Sequence, residues 1–525
     1  MTRPSFLFII TDQQRADHLG CDGDSIVHTP HIDALARAGF RAEQCYVATP
    51  ICMPNRATMM TGRLPSLHGV RHNGIELSLD ETTFVEVLRE AGYHTALVGK
   101  AHLQNITGAP AQWPPDPGRR RLRDARPRGP GRYGQELGPA WEKDPTHELT
   151  LPYYGFEQVD LSIRHADEQY GHWRRWIRTQ TNDADRLIGP EHAIPAPEFE
   201  LTRIRQAWRT RVPEELYPTS WITDRTLDVL RDCARRGTPF FVQCSYPDPH
   251  HPFTPPGRYW SMYAPDDVPL PPSFRAAHRN LPPHVQWLHR QRDTGKAVKN
   301  TQALFACSER EAREAIALNY GAISMIDDGV GRLLAELDRL GLAASTVVIF
   351  TSDHGDFLGD HQLLLKGPIH YTGLVRTPFL WKDPAVTASR TSAALVQAID
   401  LAPTVLERAG VRAFNGIQGQ SLLPLIEGRA DTLRDALVIE EEGQRTYLGF
   451  AGRVRMRSLV TAQHRLSLYD GVEWGELYDR QADPGETINL WDDAGSRKLR
   501  GELVERLARA MLAATEESPY PTALA

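Results

Sequence analysis

Five consecutive apolar residues, Phe6 to Ile10, stop abruptly at Thr11-Asp12. A run without polar alternation fits a strand buried on both faces, and such strands belong to parallel sheets covered by helices. The pattern recurs. Thr95–Val98 runs into Gly99-Lys100, Phe240–Cys244 into Ser245-Tyr246, and Thr346–Phe350 into Thr351-Ser352-Asp353. Helical patterns lie between these runs: Ile32–Ala38, Thr82–Glu90 and Ser308–Leu340, the last long enough for one long helix or two. Ser78-Leu79-Asp80-Glu81, ahead of the second, resembles a capping box. Strands alternating with helices predict an α/β fold: a large, mixed, mostly parallel sheet flanked by helices.

The chain has 525 residues, enough for more than one domain. Residues 1–430 are expected to form the large α/β domain. Within it, about 103–220 lacks a clean period and reads as an insertion. It holds Trp113-Pro114-Pro115 and then Gly118–Arg132, a stretch with seven arginines and one aspartate. That charge block reads as a solvated loop, with an anionic substrate or a subunit contact as the alternative. Residues 431–525 are expected to form a small antiparallel sheet plus a helix. The sheet would come from Ala436–Glu440, Tyr447–Phe450, Arg455–Leu459, Leu466–Tyr469 and Gly475–Tyr478. The helix, Ser496–Ala514, would pack through Leu499, Leu503, Leu507 and Met511.

Sixty basic and 66 acidic residues give a net charge of −6, so no basic footprint for nucleic acid exists. No apolar run reaches the length of a transmembrane helix. The start, MTRPSFLFIITDQQ, has too short an apolar run and no small-residue cleavage site for a secretory signal. The six cysteines, at 21, 45, 52, 233, 244 and 307, form no CxxC pair, so neither a disulfide framework nor a zinc site is expected. The expected location is the cytoplasm.

The most specific local motif is Cys52-Met53-Pro54-Asn55-Arg56, followed by Ala57-Thr58 and Thr61-Gly62-Arg63. Around it stand Thr11-Asp12-Gln13-Gln14, Thr29-Pro30-His31-Ile32-Asp33-Ala34-Leu35-Ala36, His68-Gly69-Val70 with Asn73, and Gly99-Lys100-Ala101-His102. Further on come Pro249-His250-His251-Pro252-Phe253, Ser352-Asp353-His354-Gly355-Asp356, Gly359-Asp360-His361, Lys366-Gly367, Leu477-Tyr478-Asp479 and Asp483-Pro484. Together they resemble the formylglycine-dependent sulfatase family, including its phosphonate monoester hydrolase group, in the alkaline phosphatase superfamily. The resemblance covers most of the chain and leaves out the 103–220 segment.

The resemblance implies an alkaline phosphatase-like fold and a cysteine, Cys52, oxidised to formylglycine by a separate maturation enzyme. It implies one divalent cation on Asp12, Gln13, Asp353, His354 and residue 52. Three oxygen donors and one imidazole suit such an ion, with Ca²⁺ and Mn²⁺ as leading choices. One hydroxyl of the metal-bound aldehyde hydrate would be the nucleophile, and the second would release inorganic sulfate. Position 52 is expected at the N-terminus of a helix running from Asn55 or Arg56 to about Thr61, where an anion is held well. Arg56 would anchor the hydrate. Lys100 and Lys366 would bind the ester's anionic oxygens. His250 would protonate the leaving alcohol and His102 would act as base; the H-x-P spacing selects His250 over His251. Asn73 would lie near the substrate, with His72 and His370 as weaker candidates. Gly355 and Gly359 read as turn glycines.

The expected reaction is hydrolysis of a small-molecule sulfate monoester. A phosphonate monoester or phosphodiester hydrolase using the same chemistry is the alternative. Asp12-Gln13, Asp353-His354 and Asn73 resemble the phosphonate group, whereas Lys100 and His102 resemble sulfatases. An unconverted, inactive anion-binding protein is a further alternative. The alcohol's pocket is expected from 103–220 and 251–300, with His172, Trp173 and Trp176 as examples. A homo-oligomer could form through the arginine run or the tail Glu517–Ala525.

Overall fold

The computed structural model describes residues 3–110, 124–443, 449–450 and 452–524. The arginine run is thus described only from Asp124 onward. Tyr447 and Leu448 of the expected strand Tyr447–Phe450 lie outside the described residues, and Gly449 and Phe450 are not in a strand.

Among the described residues, fifteen strands follow in chain order: β1 Ser5–Thr11, β2 Phe40–Tyr46, β3 His94–Gly99, β4 Gln158–Ile163, β5 Tyr170–Gly171, β6 Phe240–Ser245, β7 Phe305–Ala306, β8 Thr346–Ser352, β9 Leu363–Leu364, β10 Phe379–Lys382, β11 Arg390–Gln397, β12 Ala436–Glu442, β13 Arg455–Thr461, β14 His464–Tyr469 and β15 Gly475–Asp479. Nine form one sheet in the order β11-β2-β10-β8-β1-β6-β3-β4-β5. Five of its eight pairings are parallel, and the antiparallel ones involve β10 and β5. The mostly parallel mixed sheet is as expected.

The central strand explains the layering. All seven residues of β1 are buried. Leu7 and Ile9 join one apolar core, whereas Phe6, Phe8 and Ile10 join another on the opposite face. The period-two alternation of a strand places these neighbours on opposite sides. The first face is covered by helices Pro218–Arg236 and Glu309–Arg339, the second by Cys52–Thr61, Phe84–Glu90 and Leu401–Arg408. Glu309–Arg339 is a single 31-residue helix, opened by a capping box between Ser308 and Glu311.

Three expectations change. The helix over Phe84–Glu90 is capped by Thr83, whose hydroxyl accepts from the Glu86 N–H at 3.1 Å, and not by Ser78. The Ser78 hydroxyl instead accepts from Gly129 N. Residues 103–220 do not lie outside the main architecture, because β4 and β5 extend the large sheet. Met511 on the last helix, Arg497–Ala513, is exposed, while Leu503 and Leu507 are buried against the second sheet.

That second sheet is antiparallel, β12-β13-β14-β15. Leu437, Ile439, Val460 and Tyr478 from it share an apolar cluster with Tyr46, Val47, Ile369 and Tyr371. The small sheet therefore packs directly beneath the loop that carries Lys366.

Candidate active site

Five adjacent parallel strands, β8-β1-β6-β3-β4, end on the same edge of the sheet, which is where open α/β sheets build their sites. Beyond β8 stand Asp353 and His354, beyond β1 Asp12 and Gln13, beyond β3 Lys100 and His102, beyond β6 His250, and beyond β4 His165. Gly99 makes the packing of two of these ends possible. It has a φ of 103°, and a Cβ there would lie 2.0 Å from the Ser245 carbonyl oxygen. The same oxygen accepts from Lys100 N at 3.0 Å.

The helix facing this edge starts at Cys52 itself and runs to Thr61, three or four residues earlier than expected. Its preceding residue, Ile51, offers no side-chain cap. Asn73 supplies one from a distance, its Oδ1 accepting from Met53 N at 3.2 Å. Asn55 fixes the same turn to the sheet: its Oδ1 accepts from Ala48 N, and its Nδ2 donates to the Asp353 carbonyl. Cys52 is thereby held at a helix N-terminus, fully enclosed.

Lys366 and Arg56 organise the rest. Lys366 Nζ lies within 3.0 Å of four acceptors: Gln13 Oε1 at 2.8 Å, His250 Nε2 at 2.9 Å, and Cys52 Sγ and His354 Nε2 at 3.0 Å. Arg56 Nε donates to Asp353 Oδ2 at 2.8 Å, and its NH1 donates to Ser245 Oγ at 2.9 Å and to the Lys100 carbonyl at 3.1 Å. Lys100 Nζ contacts Asp12 Oδ2 and stands 2.7 Å from His165 Nε2. Cys52 Sγ is 3.0 Å from His354 Nε2 and 3.6 Å from Asp12 Oδ1. Gln13 also donates to Asp356 and contacts His251 Nδ1, whose other ring nitrogen meets Gln302 Oε1.

These charges tune Cys52. Burial and the Asp12 carboxylate push its thiol up, but Lys366, Lys100 and His354 reverse this and bring it below the usual thiol value. Burial pushes Cys21, Cys45 and Cys233 up to about 12 and Cys244 to about 11, and raises Cys307 as well. Cys52 is thus the one cysteine of six made acidic. Burial also opposes ionisation of Asp12, yet Lys100 and Arg56 help hold its carboxyl well below the usual range.

The family model described as Sulfatase matches residues 4–411 of the 525. This chain belongs to the sulfatase family. A second model, described as N-sulphoglucosamine sulphohydrolase, C-terminal, matches residues 359–513. The chain is 27% identical to an arylsulfatase of Clostridium perfringens over 93% of its own length and 90% of that protein's. It is 25% identical to an N-acetylglucosamine-6-O-sulfatase of Bacteroides thetaiotaomicron, over 96% and 86%. The solved phosphonate monoester hydrolase of Agrobacterium radiobacter superposes with a TM-score of 0.77 at 25% identity, covering 100% of this chain and 98% of that one.

Sulfatases generally use a metal ion and a formylglycine, and the residues here fit both. Asp12, Cys52, Asp353 and His354 are buried, with ligand-capable atoms all within 4.8 Å of one another. His354 Nδ1 donates to the Gly355 carbonyl at 2.8 Å, which turns Nε2 toward Asp12 and Cys52, as a metal-binding imidazole requires. Gln13 Oε1 reaches the same place through Lys366. Gly355 is no left-handed turn residue: a Cβ on it would lie 2.0 Å from the Gly373 carbonyl oxygen. Two polar atoms close by, Arg56 NH2 and His102 Nδ1, are buried without a hydrogen-bond partner and could serve a further polar group on residue 52. His102 itself has a φ of 55°, with its backbone held by Glu136.

The structure brings together Cys52, Arg56, Lys100, His102, His250, Lys366, Asp12, Gln13, Asp353 and His354. It separates others. His370 is completely buried behind the site, bonded to Glu441 and the Ser458 hydroxyl, so it cannot meet a substrate there. His72 is half-buried with Nδ1 on the Asn73 carbonyl, and no hydrogen bond joins it to the Cys52 cluster. Asn73, by contrast, stays beside residue 52, with Oδ1 accepting from Met53 N. Trp173 is fully buried in the core, and His172 bridges Leu161 N and Glu148, so both side chains are engaged away from the Cys52 cluster. His165 and Gln302 are contacts that motif reading missed. The signal for His165 is the strand Gln158–Ile163 immediately before it, hidden by the aperiodic surroundings.

Proposed function

We propose that the protein hydrolyses sulfate monoesters to an alcohol and inorganic sulfate, with residue 52 as the attacking group. The observation that carries this reading is the enclosed Cys52 at a helix N-terminus, with Lys366 3.0 Å away and Lys100 on the facing carboxylate. The named activities of the arylsulfatase and the 6-O-sulfatase support it.

Lys100, Lys366 and the first N–H groups of helix Cys52–Thr61 present positive charge where the ester's sulfuryl oxygens would lie. His250 Nδ1 donates to the His251 carbonyl, which leaves Nε2 facing Lys366 and the leaving-group side. Burial holds His250 well below the usual imidazole range, and His165 and Lys366 add to this. An anionic ester in the site would raise its proton affinity and favour the protonated form that gives a proton to the alcohol. His102, also held low by burial and then by Lys100, stays neutral and can accept a proton at its unpartnered Nδ1.

A Ca²⁺ or Mn²⁺ ion would be held by Asp12, Gln13, Asp353, His354 and residue 52, and would make a hydroxyl on residue 52 more acidic. That hydroxyl requires oxidation of Cys52 to formylglycine by a maturation enzyme of the host.

A second reading, hydrolysis of phosphonate monoesters or phosphodiesters, draws on the full-length similarity to the phosphonate monoester hydrolase. Sulfuryl and phosphoryl groups share geometry and dependence on charge stabilisation. The two ammonium groups and His102 favour the sulfate. The test is release of inorganic sulfate by protein whose Cys52 peptide mass shows conversion. Protein in which Cys52 remains a thiol and which only binds sulfate would leave the anion-binding alternative in place.

A further inference from the structure

His165 has no place in the motifs above, yet it is built into the site. Its Nε2 lies 2.7 Å from Lys100 Nζ and 3.6 Å from Asp12 Oδ2. Its ring lies face to face on His250, with centroids 3.5 Å apart and planes 6° from parallel. Lysine can only donate, so His165 Nε2 accepts and its proton sits on Nδ1.

The loop carrying it is not a casual one. Arg164 and Ala166, on either side, have φ of 79° and 56°, a conformation that side-chain-bearing residues avoid. Such backbone persists only where the surroundings enforce it. Here Asp167 is completely buried, accepting from Trp208 Nε1 at 3.1 Å, Gly189 N at 3.3 Å and the Thr210 hydroxyl. Gln169, also completely buried, donates to the Ala166 carbonyl at 2.9 Å and contacts the Ser162 hydroxyl. The connection between β4 and the edge strand β5 is thus pinned on both sides, and the imidazole it presents is fixed in direction.

Asp12, His165 and His250 also bring ligand-capable atoms within 4.8 Å, a spacing that could hold a cation. The Lys100 ammonium already stands among them, on Asp12 Oδ2 and His165 Nε2. The positive charge at this place belongs to the lysine.

We propose that His165 is a positioning residue, which aims the Lys100 ammonium through Nε2 and sets the ring plane of His250 by stacking. This rests on the hydrolytic reading above for its kinetic consequence but not for its geometry. The two contacts separate by substitution. His165→Gln keeps an acceptor near the place of Nε2 and loses the ring. His165→Phe keeps the ring and loses the acceptor.

The experiment compares wild type, His165→Ala, His165→Gln and His165→Phe, all with Cys52 converted and melting temperatures measured. Esters of an acidic phenol and of a simple alkyl alcohol serve as the substrate pair. A misaligned His250 hurts the poor leaving group most. The expected result is a kcat/KM loss in His165→Ala at least tenfold larger for the alkyl sulfate than for the aryl sulfate. His165→Phe should recover that difference, and His165→Gln should recover affinity for inorganic sulfate. Equal losses on both esters, with neither variant rescuing, would overturn the proposal. Crystal structures of wild type and His165→Ala provide a readout independent of turnover. Lys100 Nζ and the His250 ring should shift, and unmoved positions would overturn the proposal. So would metal analysis finding a second divalent ion in wild type that His165→Ala loses. Wild type that hydrolyses neither ester would sink the hydrolytic reading and leave the structural comparison to decide on His165.

Discussion

The Arg56 guanidinium meets the Asp353 carboxylate at 2.8 Å, with both side chains almost completely buried. The same guanidinium bonds Ser245 Oγ and the Lys100 carbonyl, and lies 3.6 Å from Asp12 Oδ2. One side chain on the Cys52 helix therefore ties down the ends of β8, β6 and β3 and neutralises charge beside β1. Removing it leaves buried carboxylate charge without its closest partner, which typically costs about 3–5 kcal/mol. Arg56→Ala should lower denaturant-measured stability by about that amount and remove activity. Arg56→Lys should be intermediate, because an ammonium cannot reproduce the fork. A stable, active Arg56→Ala protein would contradict this assignment.

Cys52→Ala should abolish turnover with little change in melting temperature, since the side chain packs in a polar site and supports no core. Cys52→Ser should retain one sulfate per chain and stop, because serine lacks the second hydroxyl. Mass spectrometry of the intact variant after substrate addition reads this directly. Activity of Cys52→Ala within a few fold of wild type would refute the role of residue 52.

Chelation should remove activity, and added Ca²⁺ or Mn²⁺ should restore it. Asp353→Asn should weaken the restoring ion's apparent affinity by at least tenfold, since it removes one of two buried carboxylates in the proposed ligand set. Undiminished turnover by protein shown to be metal-free would contradict the ligand set.

Glu441 gives a pH signature away from the chemistry. Burial pushes its carboxyl up from 4.5 to about 8, only partly opposed by Lys366, and it lies 3.0 Å from His370 Nε2. Because the folded value exceeds the unfolded one, its contribution is fully present below about pH 4.5. It is lost as pH rises toward 8, at up to about 1.4 kcal/mol per pH unit. Glu441→Gln should flatten that part of the stability profile and gain on wild type as pH rises from 5 to 8. Parallel profiles for the two proteins would mean that Glu441 is ionised in the folded state.

Much of the fold and of the site is legible in the sequence because strand ends and function coincide. Apolar runs that stop on Thr11-Asp12, Gly99-Lys100 and Thr351-Ser352-Asp353 mark both the sheet and its catalytic edge. Residues whose role depends on tertiary partners were not legible. His370 follows Lys366 closely but turns into the second sheet, where Ser458 and Glu441 claim both ring nitrogens. Asn73 looks free in sequence and is used as a helix cap across 20 residues. His165 escaped because β4 sits in a segment whose polar and proline-rich surroundings mask a six-residue strand.

The most direct test of the central claim is a paired assay on protein with confirmed conversion of Cys52. It compares kcat/KM for an aryl sulfate and an aryl phosphonate monoester. The account predicts a strong preference for the sulfate, which falls when Lys100 is replaced by alanine. A strong preference for the phosphonate, unchanged in Lys100→Ala, would contradict the assignment of the substrate.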